Sequence, residues 1–205
     1  PGRLGRARVC AITIGRIGRA LTVIPPRQPG RRMEATGGRI VGWRRLALIL
    51  AAIALLKQLE VEGRLATGDD KRVLVRFVGW GGLPQVFDAW NDDWKEPRQR
   101  LEASLTPDEL DSARATTLNA HYTAPVVIRA MYAALDRLGF THGCILEPAL
   151  GLGHFIGLMP EDMHARSLVT GIEIDSVTAR LARRLYPDAD IRHQPFEEAK
   201  LADGF

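Results

Sequence analysis

The sequence has little cysteine and lacks an apolar stretch long enough to span a membrane. Cys10 and Cys144 are the two cysteines among 205 residues, far apart and without metal-type spacing. This argues against a disulfide framework and favours a reducing, cytoplasmic location. The apolar run Leu46–Leu56 is shorter than the roughly 20 residues that a bilayer requires. His121 and His154 have no partner at ligand spacing, so no metal site is predicted.

Acidic residues are nearly absent from the amino-terminal part. Residues 1–45 hold 11 Arg and one acid, Glu34, for a net charge of +10, against +4 for the whole chain. The remaining residues therefore sum to −6, the difference between those two values. An Arg-rich tail could contact nucleic acid phosphates, but composition favours a disordered leader that precedes a start at Met33. Residues 1–40 are expected to be dispensable.

Helix signals dominate residues 46–118. The apolar run that begins at Leu46 stops at Gly63, which is a typical residue just beyond a helix end. Thr67, followed by two aspartates, predicts a second helix start. Thr106-Pro-Asp-Glu109 combines a cap, an early proline and acids, and predicts a third helix, which ends near Leu118.

Aromatic residues are scarce overall but gather between these helices, in and after the segment Val78-Gly-Trp-Gly-Gly-Leu-Pro84. Aromatic rings beside Arg and Lys can stack on nucleic acid bases. The alternative, which we favour, is a glycine-hinged turn whose rings fill a small helical core. The rings are Trp80, Phe87, Trp90 and Trp94.

From residue 119 the pattern changes to short apolar segments that alternate with helices. A helix with an apolar face comes first and ends at Gly139. The order strand, helix, strand, helix, strand then predicts parallel strands, as in a nucleotide-binding half-sheet. The apolar face is predicted at Val126, Val127, Met131, Leu135 and Leu138, the strands at 145–147, 168–174 and 189–191, and the helices at 155–159 and 178–185.

The segment Cys144-Ile-Leu-Glu-Pro-Ala-Leu-Gly-Leu-Gly-His-Phe155 indicates a strand, a tight glycine loop and a helix start. Ligands of open α/β sheets bind outside the carboxyl ends of such strands. Gly151 and Gly153 let the backbone come close to a ligand. Glu147 and Glu173 end the first two predicted strands, where a carboxylate can accept hydrogen bonds.

Three motifs, in order, resemble the amino-terminal part of γ-type adenine-N6 DNA methyltransferases. A closer likeness is to large methylase–helicase proteins of phages and plasmids, in which a segment like Val78–Pro84 precedes one like Thr117–Thr123. The likeness covers about residues 45–205. The motifs are Asn119-Ala-His-Tyr-Thr-Ala-Pro125, Leu146-Glu-Pro-Ala-Leu-Gly-Leu-Gly-His-Phe155 and Gly171-Ile-Glu-Ile-Asp175.

The resemblance implies an α/β fold: an incomplete Rossmann-like S-adenosylmethionine-dependent methyltransferase sheet, residues 119–205, preceded by a helical region, residues 46–118. Glu147 would bind the ammonium of S-adenosyl-L-methionine and Glu173 its ribose hydroxyls, while Ile174 would cover an adenine face. The implied cofactor-binding residues are Tyr122, Thr123, Glu147, Pro148, Gly151, Gly153, Glu173, Ile174 and Phe196.

The implied function is adenine-N6 methylation of DNA, with DNA as partner and no membrane or metal. Such enzymes hold the flipped base with an Asn/Asp-Pro-Pro-Tyr/Phe loop, and no such tetrapeptide occurs in this sequence. We therefore expect no catalytic residue here and no activity from this piece alone.

Two alternatives to the methyltransferase function stay open. One is a non-catalytic DNA-binding phage accessory protein, and the other is an NAD-dependent enzyme, because Gly151, Gly153 and Gly157 superficially fit a dinucleotide fingerprint.

Overall fold

The computed structural model describes the backbone of residues 12–13, 34–118 and 122–201, and side chains within residues 41–118 and 122–201. The chain divides into two compact units. One is Gly15–His121, which we call the helical unit. The other joins Pro1–Ile14 to Tyr122–Phe205, and we call it the α/β unit.

The helical unit is built around one long helix, α1, Glu34–Glu62. Four fully buried side chains of α1, spaced three or four residues apart, form one face: Ile49, Ile53, Leu56 and Leu59. Among the helices of the described residues, none has both the length and the apolar character to cross a membrane. The other helices of this unit are α2 (Gly68–Leu74), α3 (Lys95–Ser104) and α4 (Pro107–Thr116), with 3₁₀ turns at Pro84–Phe87 and Asp92–Trp94.

The predicted starts of α2 and α4 are confirmed, and each is a reciprocal capping box. The Thr106 hydroxyl accepts from the Glu109 N–H at 3.2 Å, and the Glu109 carboxylate accepts from the Thr106 N–H at 2.8 Å. Thr67 and Asp70 repeat the arrangement at α2. These bonds satisfy backbone donors that a helix leaves free at its start.

The aromatic segment forms part of the core of this unit, as the second interpretation predicted. Phe77 and Trp80 are fully buried, with their ring centroids 5.4 Å apart in an edge-to-face arrangement. Trp94 is also buried and packs against Gly42 of α1, where a Cβ atom would lie 2.7 Å from its ring. Trp90 does not follow this interpretation, because 93% of it is exposed.

The structure differs from the predicted leader, residues 1–45, in two places. Helix α1 begins at Glu34, and Ile12–Thr13 pairs with a strand of the α/β unit. The composition misled because glycine and arginine are typical of disorder, whereas Gly42 is buried in α1 and makes room for the Trp94 ring. The rest of the predicted leader lies outside the described residues.

The α/β unit holds a small parallel sheet. The three strands β2 (Cys144–Glu147), β3 (Leu168–Glu173) and β4 (Asp190–His193) are parallel neighbours, and the two-residue β1 (Ile12–Thr13) pairs with β2. This confirms the coarser prediction of an α/β unit with parallel strands after a helical region. The helices are α5 (Pro125–Arg137), α6 (His154–Gly157), α7 (Glu161–Arg166) and α8 (Ser176–Leu185).

The buried face of helix α5 matches the predicted one in part, because Met131 and Leu135 pack against the core as predicted. Ile128 and Tyr132 are buried, whereas Val126 is 72% and Leu138 82% exposed. The error arose because apolar character was counted without regard to the angular position around the helix. Strands β2, β3 and β4 each contribute one side chain to the same core cluster as Ile128 and Tyr132, namely Ile145, Val169 and Ile191.

Candidate functional site

The carboxyl ends of β2 and β3 bring the two predicted acids to one edge of the sheet. Glu147 is the last residue of β2 and pairs in register with Gly171, so β3 runs two residues further and ends at Glu173. The intervening loop returns to β3, because the Leu150 N–H donates to the Ile172 carbonyl at 2.9 Å. The loop therefore folds against the end of its neighbouring strand.

Glu147 is a buried acid whose hydrogen-bonding capacity is only partly used among the described residues. It is 5% exposed, and its Oε2 has no hydrogen-bond partner among the described residues. Burial raises its pKa to about 8, although the N–H of Ala149 donates to it and opposes the shift. Burying an unpaired carboxylate is costly. A cation that approached Oε2 would offset this cost.

Glu173 ties the glycine loop to the following helix. Its Oε2 accepts from the Gly151 N–H at 2.7 Å, and its Oε1 accepts from the Asp175 N–H at 2.8 Å. Burial raises the pKa of Glu173, and these backbone donors work against that rise. Since a carboxylate has about four acceptor positions, Glu173 retains capacity for further donors. Glu173 is therefore half-buried and hydrogen-bonded within the fold.

The two loop glycines are required by close contacts with tyrosine rings. Gly151 has φ +56°, and a Cβ there would lie 3.0 Å from Cε1 of Tyr122. Gly153 has φ +83°, and a Cβ there would lie 2.5 Å from Cε2 of Tyr186. We predicted that both glycines let a ligand approach the backbone. At Gly153 the approaching group is Tyr186 of the same unit.

Tyr122 and His154 lie together over this loop. Their ring centroids are 4.7 Å apart, with the planes inclined at 44°. The pKa of Tyr122 is raised by burial and then by the charges of Glu173 and Asp175, so its hydroxyl lies near these acids. Burial lowers the pKa of His154, and its Nδ1 is buried without a hydrogen-bond partner among the described residues.

The remaining predicted site residues differ in exposure. Ile174, after β3, is 53% exposed, and Phe196, after β4, is 44% exposed. The end of β4 is held beside that of β3, because the Gln194 N–H donates to the Glu173 carbonyl at 3.1 Å. Thr123 is exposed and Pro148 half-buried. Apolar surface thus remains accessible beside the two acids.

Asp175 has a structural role that the sequence interpretation missed. It is 2% exposed and caps α8, where its Oδ2 accepts from the Thr178 N–H at 2.9 Å. Asp175 is therefore buried and hydrogen-bonded at the helix start. An aspartate directly before a helical pattern is the signal that identifies such a cap.

Tyr132 of α5 is a second residue that the sequence did not single out. Its hydroxyl donates to the Phe155 carbonyl at 2.7 Å. Its pKa is raised by burial and by the charge of Glu147. Tyr132 therefore fixes the start of α6 close to the carboxylate that ends β2. Within the described residues, no group of His, Cys, Asp and Glu is placed to hold a metal ion.

Comparisons with known proteins give one relative. The chain is similar to defense against restriction protein B of Escherichia phage P1. The two are 22% identical over 151 residues, which is 74% of this chain and 5% of that protein. The chain thus spans about one twentieth of the length of this relative. No family model and no solved structure matches the chain.

Proposed function

We propose that the chain is the S-adenosylmethionine-binding part of a DNA adenine-N6 methyltransferase, with the α/β unit as its Rossmann-like cofactor domain. The observation that carries the proposal is the buried Glu147 carboxylate, whose Oε2 has no partner among the described residues. A positively charged ligand group is the natural partner for such an atom. The methyltransferase resemblance supplies the same role for this residue.

The other residues at the sheet edge fit the parts of this cofactor. Glu173 retains acceptor capacity for ribose hydroxyls while it holds the Gly151 and Asp175 amides. Ile174 and Phe196 expose apolar surface that suits an adenine ring. When bound, the cofactor supplies an electrophilic sulfonium methyl group. The protein positions the ligand and excludes water around it.

DNA is the proposed partner on two grounds. The first is the resemblance of the three motifs to DNA methyltransferases. The second is the name of the phage P1 relative, which states a role in defence against restriction. That name equally favours a second candidate, a phage accessory protein that keeps the fold and binds DNA without transferring a methyl group.

Calorimetric binding of S-adenosylmethionine and of NAD to this chain tests the proposal directly. We expect S-adenosylmethionine to bind and NAD not to bind. Glu147→Gln removes the negative charge and is expected to weaken binding roughly ten- to a hundredfold, because a charged hydrogen bond contributes about 1.5–3 kcal/mol. The matched control is Glu161→Gln, at an exposed glutamate of the same unit, which should bind as the wild type does.

Binding of NAD in place of S-adenosylmethionine would overturn the cofactor assignment and support the dehydrogenase alternative. Binding of neither ligand by a folded protein, together with salt-dependent DNA binding, would support the accessory-protein candidate. Unchanged affinity in Glu147→Gln would keep the cofactor and remove Glu147 from its site. The three outcomes are distinguishable in one set of titrations.

A further inference from the structure

His154 holds the second buried polar atom at the glycine loop that lacks a partner. Glu147 Oε2, at the start of the loop, and His154 Nδ1, at its end, both have no hydrogen-bond partner among the described residues. Each such atom costs about 1–3 kcal/mol if nothing ever satisfies it. Two of them at the ends of one six-residue loop, residues 148–153, point to a ligand that satisfies both.

The two atoms have complementary chemistry. An ionised carboxylate, the form of Glu147 that a bound ammonium favours, can only accept, whereas a neutral imidazole can donate through Nδ1–H. His154 is kept neutral by its burial, which lowers its pKa. An acceptor and a donor at one loop match the two ends of an α-amino acid zwitterion, in which an ammonium donates and a carboxylate accepts.

The loop geometry holds the imidazole in place. The Gly153 N–H donates to the Leu150 carbonyl at 3.0 Å, and the Gly157 N–H donates to the Gly153 carbonyl at 2.9 Å. The ring of Tyr122 packs on the imidazole with a centroid separation of 4.7 Å. The ring contact with Tyr122 does not use Nδ1. Nδ1 is thus buried with its hydrogen-bonding capacity unused among the described residues.

We propose that His154 is a ligand-binding residue that donates from Nδ1–H to the carboxylate of an amino acid ligand, while Glu147 accepts from its ammonium. The inference rests on the proposed function, since S-adenosylmethionine is the amino acid-bearing ligand in question. It adds a residue and a part of the ligand that neither the motifs nor the comparisons assign. A metal-binding role is not supported, because no group of metal-ligating residues occurs within the described residues.

The test pairs two ligands with substitutions that separate the two ring nitrogens. The ligands are S-adenosylmethionine and its decarboxylated form, which keeps the ammonium, sulfonium and adenosine but lacks the carboxylate. His154→Phe keeps an aromatic ring against Tyr122 and removes both nitrogens. His154→Asn places an amide near the position of Nδ1, and His154→Gln places it near Nε2. His142→Phe, at an exposed histidine before the amino end of β2, is the control.

We expect His154→Phe and His154→Gln to lose roughly ten- to a hundredfold in calorimetric affinity for S-adenosylmethionine. His154→Asn should stay within about threefold of the wild type, which is less than 1 kcal/mol. For the decarboxylated ligand all three should match the wild type, because the contact they change is absent. If His154→Phe fails to fold, as judged by circular dichroism, the difference in S-adenosylmethionine affinity between His154→Asn and His154→Gln still tests the proposal.

Other outcomes separate the two hypotheses. Equal weakening of both ligands by His154→Phe would assign His154 a packing role and overturn the inference while the cofactor assignment stands. Wild-type affinity of all three variants for S-adenosylmethionine would overturn it as well. Failure of the wild type to bind either ligand would instead overturn the proposed function, and this inference with it.

Discussion

The two units treat a buried carboxylate in opposite ways. In the helical unit, Glu109 is 7% exposed, and its carboxylate accepts from Lys57 Nζ at 3.0 Å and from the Thr106 N–H at 2.8 Å. In the α/β unit, Glu147 is 5% exposed and its Oε2 accepts from no group among the described residues. The two glutamates are similarly buried, but they differ in how many hydrogen bonds their carboxylates accept. This difference separates a carboxylate that stabilises a fold, Glu109, from one that is available to a ligand, Glu147.

Two left-handed glycines, Gly153 of the α/β unit and Gly63 of the helical unit, differ in how closely other residues pack around them, and they give the largest expected effect. Gly153→Ala places a methyl group 2.5 Å from the Tyr186 ring at φ +83°. We expect a loss of about 2–5 kcal/mol, from overpacking and left-handed strain. Gly63→Ala, at φ +62° with nothing within 4 Å of the added carbon, should cost about 1–2 kcal/mol of strain alone.

Hydrogen–deuterium exchange measured peptide by peptide checks this, because it reports each unit within the same protein. Faster exchange should concentrate around β2 to β4 in Gly153→Ala and around α1 and α2 in Gly63→Ala. Equal costs for the two substitutions would show that backbone strain, and not the Tyr186 contact, decides the matter.

The same substitution at the two buried glutamates should have unequal consequences. Glu109→Gln replaces a charged acceptor of Lys57 by a neutral amide, and we expect a loss of about 1–3 kcal/mol in the free energy of unfolding. Glu147→Gln at pH 7 should instead raise it, by as much as about 3 kcal/mol, because the unfolded glutamate is ionised at pH 7 and must take up a proton on burial, whereas the amide is neutral in both states.

Urea denaturation followed by tryptophan fluorescence measures the effect of Glu109→Gln on the free energy of unfolding, because all four tryptophans lie in the helical unit. Hydrogen–deuterium exchange of peptides around β2 to β4 follows the α/β unit. If Glu147→Gln destabilises the α/β unit as much as Glu109→Gln destabilises the helical unit, the contrast between the two glutamates is wrong. That result would mean that the Glu147 carboxylate has its hydrogen-bond partners within the fold.

The smallest expected effect is a pH dependence confined to the α/β unit. The pKa of Glu147 is raised to about 8 from an ordinary 4.5, so the folded protein holds this proton more tightly than the unfolded chain does. The resulting stabilisation is fully present below pH 4.5 and is lost as the pH rises through about 8. Between pH 6 and 7 the loss should be about 1 kcal/mol.

Exchange protection of β2 and β3 measured across this pH range, after correction for the intrinsic exchange rate, checks the prediction. Glu147→Gln is the reference, because it removes the titrating group and should flatten the dependence. Glu173, whose pKa is also raised, contributes the same sign in both proteins and cancels in the difference. An identical slope in wild type and variant would contradict the assignment of a high pKa to Glu147.

Local patterns were enough to predict the elements that surround the site. The change from apolar residues to Glu147 and the glycines after it indicated a strand end and a tight loop, and both occur there. Thr106 and Glu109 indicated a capping box by their spacing alone. Such features depend on residues a few positions apart, and the sequence displays them directly.

Contacts between distant residues could not be predicted in this way. Lys57 and Glu109 are 52 positions apart, and the hydrogen bond from Gly151 to Glu173 spans 22. Nothing in either local segment specifies its partner, so the difference between a satisfied and an unsatisfied carboxylate became visible only in the fold. The partly polar helix α7, Glu161–Arg166, was missed because its apolar pattern is too short to be recognised.

Tyr186 has a consequence for how this loop can change in evolution. Its ring occupies the space that a side chain at position 153 would need, and its hydroxyl lies 2.5 Å from where a Cβ at position 157 would stand. Exchange of either glycine is costly while the tyrosine remains. Loss of the tyrosine would remove the steric clash at both positions and leave the left-handed strain at position 153. Positions 153, 157 and 186 should therefore change together in evolution. Replacement of the tyrosine at 186 should come before either glycine is replaced by a residue with a side chain. A lineage that kept the tyrosine beside a larger residue at 153 would have had to rebuild the end of α8.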